Sequence, residues 1–204
     1  MIGLQILNGS FDKEFFMGIK IWILLLLEGY RKFIYAGNDA HGNFNIFRQI
    51  NIPMLTLKEK KEQLFGKYRT GVITEGKIKD VDVAIYSLKK GNCFITAGPL
   101  INMICITNKQ NYNMGSSIHS NFGLLQISVI STPEFGTIKN IVIKKGVIGK
   151  DKETDFFTVT NLKQFRLNFD IDIYISVECY YRCEAEFGEN ENNRILTFSN
   201  PIWL

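Results

Sequence analysis

An aspartate and a histidine two positions apart, Asp39 and His41, have the types and spacing that best suit metal chemistry in this 204-residue sequence. They follow Lys32 to Ala36, an apolar run typical of a buried strand. In an extended chain, side chains two residues apart point the same way, so the carboxylate and the imidazole would face one ligand. This mixed donor pair suits a divalent manganese, zinc or iron ion. The competing interpretation is a turn in which Asn38 and Asp39 hydrogen-bond to the local backbone.

The supply of further metal ligands is short, because His41 and His119 are the two histidines of the whole chain. His119 lies in the polar sequence from Asn113 to Asn121, which predicts an exposed loop. The four cysteines lack the paired spacing of zinc sites and sit in apolar stretches, so we expect them to be reduced. A catalytic zinc site takes about three protein ligands. The sequence therefore predicts a metal site that is incomplete in this chain.

The elements that would position Asp39 and His41 are predicted in the order strand, helix, strand. Ile2 to Leu7 is a short apolar run, Phe15 to Leu27 has the character of a buried helix, and Lys32 to Ala36 follows. This order predicts a βαβ unit with parallel strands, and active sites form at the carboxyl ends of such strands. The helix is too short for a membrane span and no basic segment of a signal peptide precedes it, which predicts a cytoplasmic protein.

The remaining sequence changes class at Gly98 and Pro99, which we predict to be a domain boundary. Before it, Arg69 to Thr74 and Asn92 to Ala97 resemble strands, and Asp80 to Lys90 has helical spacing. After it come seven β-rich runs separated by turn residues. The prediction is an α/β domain over residues 1–99 and an antiparallel β-sandwich over residues 100–204. The β-rich runs are Ile101 to Thr107, Leu124 to Ser131, Ile138 to Lys144, Phe156 to Thr160, Phe165 to Phe169, Ile173 to Tyr181 and Ile195 to Phe198.

The stretch from Trp22 to Asn45, WILLLLEGYRKFIYAGNDAHGNFN, resembles the final metal-binding motif of the polymerase and histidinol phosphatase (PHP) superfamily of metal-dependent phosphoesterases. Further similarity lies in Gly66 to Val72, Phe94 to Pro99 and Ser199 to Ile202, so the likeness extends over nearly the whole chain. The resemblance implies the C-terminal portion of a PHP-type β/α barrel, followed by the sandwich. It also implies hydrolysis of phosphate esters by water that a cluster of divalent metal ions activates.

The same resemblance implies roles for individual residues. Asp39 and His41 match the family's last pair of metal ligands, and Gln5 stands where relatives often have Glu. Asn38 and Arg69 are the candidate substrate-binding residues, since a guanidinium can bind two phosphate oxygens; a surface ion pair is an equally good interpretation of Arg69. The family's opening motifs, which include His-x-His, would precede this sequence. We therefore expect weak metal binding and no activity from this chain alone, with a complementing N-terminal fragment supplying the other ligands.

Two other interpretations stay open. In the first, the β-sandwich is a non-catalytic binding or interaction module and the α/β part is a vestigial stub; Tyr112, Tyr180 and Tyr181 would stack on sugars, or else belong to the core. In the second, the product is inactive, and unpaired strand edges of an incomplete barrel favour a homodimer. The formal net charge of +4 is too small and too dispersed to indicate nucleic-acid binding. The predicted partner of an active form is a phosphorylated small molecule or another ester.

Overall fold

A computed structural model of the protein describes residues 3–38, 49–52, 55–58, 66–74, 80–188 and 194–204. In these residues the helices are α1 (Lys13–Leu27) and α2 (Val81–Lys90). The strands, in chain order, are β1 (Gly3–Asn8), β2 (Phe33–Gly37), β3 (Gln49–Ile52), β4 (Leu55–Lys58), β5 (Arg69–Val72), β6 (Cys93–Thr96), β7 (Leu100–Thr107), β8 (Gln110–Asn113), β9 (Phe122–Ile130), β10 (Ile138–Val147), β11 (Thr154–Val159), β12 (Arg166–Tyr174), β13 (Cys179–Phe187), β14 (Ile195–Ser199) and β15 (Ile202–Trp203).

The N-terminal elements form the predicted βαβ unit. β1 and β2 pair in parallel, from Gly3 opposite Phe33 to Asn8 opposite Gly37. α1 connects them and begins after Asp12, whose side chain accepts a hydrogen bond from the Phe15 backbone N–H at 2.9 Å. This carboxylate satisfies one of the N–H groups that the first helical turn leaves without a partner. The prediction of parallel strands around a crossover helix is confirmed.

Most of the remaining strands form two antiparallel sheets. The larger has the order β11-β10-β13-β14-β6-β5, with β15 also pairing with β13. The smaller has the order β12-β9-β7-β8, and β3 pairs with β4 apart from both. β6 lies between β5 and β14, so the larger sheet combines strands from before and after Pro99. The division at residue 99 stays a prediction.

Two groups of buried side chains hold these layers together. The first lies between the two antiparallel sheets, where alternate residues of β7 and β9 face those of β10 and β13. The second lies on the other side of the larger sheet, beneath α1. Trp22 and Leu26 of α1, both fully buried, share this second core with Tyr180 and Phe198 of the larger sheet. Burial of these apolar surfaces is the main force that fixes the βαβ unit on the sheet.

The predicted fold class, the C-terminal portion of a PHP-type β/α barrel followed by a β-sandwich, is wrong. Among the described residues about 50% lie in strands and 15% in two helices, and no sheet closes into a barrel. A barrel needs repeated βα units with parallel neighbours. Here β1 and β2 are the parallel pair, whereas β5 and β6 enter the larger sheet as antiparallel strands.

The apolar helix α1 also differs from its prediction as a helix buried on most sides. It buries one face through Phe15, Ile19 and Trp22, but Met17 and Ile21 on the opposite face are exposed. The sequence concealed this asymmetry, because Lys20 is the one charged residue between Phe15 and Leu27 and does not by itself define a polar face. In the part of the chain that the structure describes, no helix has the length and hydropathy needed to cross a membrane.

Candidate functional site

The candidate metal ligands Asp39 and His41 lie outside the described residues, which reach Asn38 on this side of the gap. The strand that leads to them is well defined. β2 ends at Gly37, directly opposite Asn8 at the end of β1. Because the strands are parallel, their carboxyl ends meet at one edge of the pair. The structure thus brings Asn8, Gly37 and Asn38 to this edge, which we call the carboxyl edge.

Amide side chains line the carboxyl edge. Gln5 Nε2 donates a hydrogen bond to Asn8 Oδ1 at 3.2 Å, and Gln5 is exposed. The Gln5 amide also passes close to β2, since a Cβ atom placed on Gly37 would lie 2.7 Å from Gln5 Nε2. Glycine at residue 37 therefore allows the side chain of residue 5 to reach across both strands. An amide oxygen is a neutral and weaker metal ligand than the glutamate expected from the family.

Strand β5 lies beside the end of β2. Thr70 Oγ1 accepts a hydrogen bond from the Ala36 N–H at 2.8 Å and donates one to the Ala36 carbonyl at 3.1 Å. The Thr70 hydroxyl thus satisfies both backbone groups of Ala36, as a neighbouring strand would. Arg69 precedes Thr70 at the start of β5; it is exposed, and its Nη1 donates to the Gly66 carbonyl at 2.9 Å. Arg69 and Asn38 thus belong to segments that the Thr70 contact brings together.

Asn200 and Tyr35 fix the position of β2 from inside the molecule. Asn200 Oδ1 accepts from the Ile34 N–H at 2.8 Å, and its Nδ2 donates to the Cys93 carbonyl at 3.2 Å. Tyr35 donates its hydroxyl proton to the Leu88 carbonyl at 2.9 Å, and burial raises the pKa of Tyr35 to about 12. In the sequence, Asn200 is recognisable only as part of the family-like segment Ser199 to Ile202. Its role in joining β2 to β6 depends on a contact between residues 166 positions apart, which no local pattern reveals.

The described residues do not by themselves fit a metal centre. Among them no three His, Cys, Asp or Glu side chains come together. All four cysteines are buried free thiols, as predicted, and burial raises the pKa of Cys93 to about 12 and that of Cys105 to about 11. A thiol is a poor ligand until it loses its proton. His119 is exposed in its loop, as predicted, and lies in an open cavity of about 1080 Å³ together with Arg31 and Glu178.

The candidate sugar-stacking aromatics separate into two kinds. Tyr180 and Tyr181 are fully buried, which confirms the alternative that they belong to the core. Tyr112 is half-buried and lines a cavity of about 660 Å³ beside α2. Tyr180 and Tyr181 end the β-rich run Ile173 to Tyr181, whereas Tyr112 lies outside the predicted runs, in strand β8.

Comparisons of the chain with known protein families, with curated proteins and with solved structures found no match. The described residues form a mostly β fold that includes a parallel βαβ unit. The resemblance to the PHP superfamily rests on the sequence motifs and stays a prediction.

Proposed function

We propose that this chain supplies part of a metal-dependent phosphoesterase site, in which Asp39 and His41 are two ligands of a divalent manganese, zinc or iron ion. The parallel pairing that sets Asn8 opposite Gly37 carries the proposal, because the motif follows β2 directly. The carboxyl ends of parallel strands are the usual position of active sites in α/β units. The PHP-like sequence around residues 22–45 supports the same assignment.

Substrate contacts in this proposal come from Asn38 and Arg69. The exposed Arg69 guanidinium is a planar group of five donors, one of which already holds the Gly66 carbonyl. Such a group binds two oxygens of a phosphate at once and offsets their charge. A bound divalent ion would supply activated water and polarise the phosphoryl oxygen. The substrate is a phosphorylated small molecule or a related ester.

Two ligands do not complete such a centre, so the proposal requires a second polypeptide segment. The exposed apolar face of α1, formed by Phe16, Met17, Ile21 and Leu24, supports this requirement. Exposed apolar side chains that lie together on a helix are typical of a contact surface. We assign this surface to a complementing segment that carries the family's His-x-His motif, and a homodimer is the alternative occupant.

The test is hydrolysis of bis(4-nitrophenyl) phosphate by the chain mixed with a polypeptide that carries the missing ligands, in the presence of Mn²⁺ or Zn²⁺. We expect activity from the complex and none from the chain alone. Asp39→Ala in the complex should lower kcat by at least about 100-fold, since it removes a metal ligand.

The matched control is Asp170→Asn, because Asp170 is exposed on β12, in the smaller sheet. It should leave the rate unchanged. A complex in which Asp39→Ala hydrolyses the ester as fast as the unmodified chain would contradict the assignment.

A further inference from the structure

The smaller sheet ends on one side with β12, and no described strand pairs with the outer side of β12. This strand has nine residues, contains no proline and pairs with β9 without a register shift. The other edge strands of the two antiparallel sheets are less suited to further pairing. β5 and β8 have four residues each, and the pairing of β11 with β10 contains a register shift. Short strands and irregular pairing protect a sheet edge, and β12 has neither protection.

Hydrogen bonds at the two ends of β12 show which of its backbone groups point away from β9. The Phe165 carbonyl accepts from the Ser131 N–H at 2.7 Å, and the Ile175 N–H donates to the Asn121 carbonyl at 2.9 Å. Odd-numbered residues therefore direct their backbone groups toward β9. Because the direction alternates along an antiparallel strand, the even-numbered residues of β12 direct their N–H and C=O groups outward. We call this row of groups the outer edge of β12.

The polar face of β12 carries charges of both signs. Arg166 lies at the start of the strand and Asp170 and Asp172 lie toward its end, and all three residues are exposed. Arg166 and Asp172 form no ion pair with another described residue. Six residues of strand span about 20 Å, so these two side chains cannot reach each other within one chain. An antiparallel second copy would reverse the order of the charges and bring opposite signs together across a two-fold axis.

Backbone direction and charge together select one register for such a pair of strands. Outward-pointing residues must lie opposite outward-pointing residues, which excludes any shift by one residue. The register that uses the whole strand sets Asp170 opposite Asp170 of the second copy, and like charges directly opposite each other are unfavourable. A shift of two residues toward the start of β12 places the axis at Phe169. It pairs residues 166–172 and sets Arg166 of each copy opposite Asp172 of the other.

The same register brings apolar side chains together on the other face of β12. The Phe169 ring stacks on Phe157 of β11, with the ring centroids 5.5 Å apart. Phe157 is 39% exposed, and Leu167 and Ile171, on either side of Phe169 on this face, are half-buried. A second copy would set Phe169 opposite itself and Leu167 opposite Ile171. These cross-strand contacts would remove apolar surface from water.

We propose that two copies of this chain associate through the outer edge of β12. The two strands pair antiparallel about a two-fold axis at Phe169, and the two smaller sheets join into one sheet. Two Arg166–Asp172 ion pairs, one on each side of the axis, set the register. A strand of another protein could use the same N–H and C=O groups. The order of the charges favours a second copy, because the sequence of β12 is complementary to itself.

The experiment is sedimentation equilibrium of the full chain between about 1 and about 200 μM, where we expect a monomer–dimer equilibrium with a Kd below about 100 μM. Arg166→Asp sets two carboxylates opposite each other and should raise the Kd at least about tenfold. Asp172→Arg sets two guanidinium groups opposite each other and should have the same effect. An equimolar mixture of the two variants has opposite charges at both positions, so it should dimerise about as tightly as the unmodified chain.

Two control variants test other positions on the surface. Arg31→Asp makes the same change of charge at an exposed arginine between α1 and β2. Ile21→Asp places a charge on the exposed apolar face of α1, which is the other candidate surface for a homodimer. Neither variant should change the Kd. Circular dichroism establishes that each variant is folded.

A chain that stays monomeric at about 200 μM would overturn the proposal. A mixture of Arg166→Asp and Asp172→Arg chains that dimerises no better than either variant alone would overturn it as well. Loss of the dimer in Ile21→Asp, with an unchanged Kd in Arg166→Asp, would assign the contact to α1 instead. None of these measurements involves Asp39, His41 or a metal ion, so failure here leaves the phosphoesterase proposal standing.

Discussion

At the scale of single residues, the most demanding feature is the buried ion cluster around Arg182. The residue is 1% exposed, and its Nε and Nη2 donate to Glu153 at 2.7 and 2.5 Å. Its Nη1 lies 2.6 Å from Glu184 Oε1. The central carbon of the guanidinium lies over the Trp22 ring, 5.3 Å from the ring centroid. Arg182 thus connects the larger sheet to α1. A buried charge is tolerated only when its partners remain in place.

We expect Arg182→Met to lower the free energy of unfolding by about 3–5 kcal/mol, because it leaves Glu153 buried without its counter-ion. Urea denaturation measures the change. The control is Arg194→Met, whose salt bridge to Glu186 at 3.2 Å is exposed and should contribute no more than about 1 kcal/mol. Equal losses in the two variants would mean that burial does not set the strength of the Arg182 cluster.

The buried thiols make stability depend on alkaline pH. In the folded chain, burial raises the pKa of Cys105 from 9.0 to about 11 and that of Cys93 to about 12. The unfolded chain loses these protons near its ordinary pKa, so the stabilisation is complete below about pH 9 and is lost as the pH rises toward the folded values.

Urea midpoints should therefore decrease as the pH rises from about 9 toward about 11, at a cost of up to about 1.4 kcal/mol per pH unit for each thiol. In the Cys105→Ala variant, the urea midpoint should decrease less steeply with pH than in the unmodified chain, whatever the stability of the variant at neutral pH. An unchanged slope in this variant would show that Cys105 titrates alike in the folded and unfolded chains.

The strand that leads to the candidate site could be predicted from the sequence, but the contacts that hold this strand in place could not. The pattern around residues 32–41 depends on local spacing, and β2 forms where it was predicted. The contacts of Thr70 with Ala36 and of Asn200 with Ile34 join distant parts of the chain. Because each pair is distant in the sequence, no local pattern predicts these hydrogen bonds, which hold β2 in position.

At the scale of elements, α2 and the loop after β8 make a close contact at Gly115. Gly115 has φ +85°, a left-handed conformation that favours glycine, and it approaches the Lys90 carbonyl. Gly149 has a similar φ of +81°, but no atom lies within 4 Å of a Cβ placed there. Both glycines have a left-handed backbone conformation, but a side chain would clash at Gly115 and would have open space at Gly149.

Gly149→Ala should cost about 1 kcal/mol, the ordinary penalty of a left-handed alanine. Gly115→Ala carries the same penalty and a backbone clash, so we expect a further loss of about 1–3 kcal/mol. Thermal and urea unfolding of both variants measure the difference. Equal losses would mean that the loop moves away from α2 at no cost.

The helices and strands were easier to predict than the surfaces and sheets against which they pack. Asp80 and Gly91 bound α2 as their types suggest, yet the helix buries Ser87 and exposes Val81 and Ile85. The run Ile173 to Tyr181 was predicted as one strand, whereas β12 ends at Tyr174 and β13 begins at Cys179. The chain crosses there from the smaller sheet to the larger one, and apolar periodicity is the same on both sides of the crossing.

At the scale of the whole molecule, the larger sheet explains why the barrel prediction failed. A strand–helix–strand start is shared by many α/β arrangements, and the strands that follow decide between them. Here β6 pairs with β14, which lies about a hundred residues further along the chain. This long-range pairing draws the α/β elements onto an antiparallel sheet, and Asn200 fastens β2 to the same region.

The central claim, that Asp39 and His41 bind a divalent ion, is tested most directly by calorimetric titration of the full chain with Mn²⁺. We predict weak binding at one site, with a Kd above about 10 μM because two ligands fall short of a full set. Asp39→Asn and His41→Gln should each weaken it at least about tenfold, while His119→Gln, a change in an exposed loop, should leave it unchanged. Binding that is the same in all three variants, or no binding at all, would contradict the account.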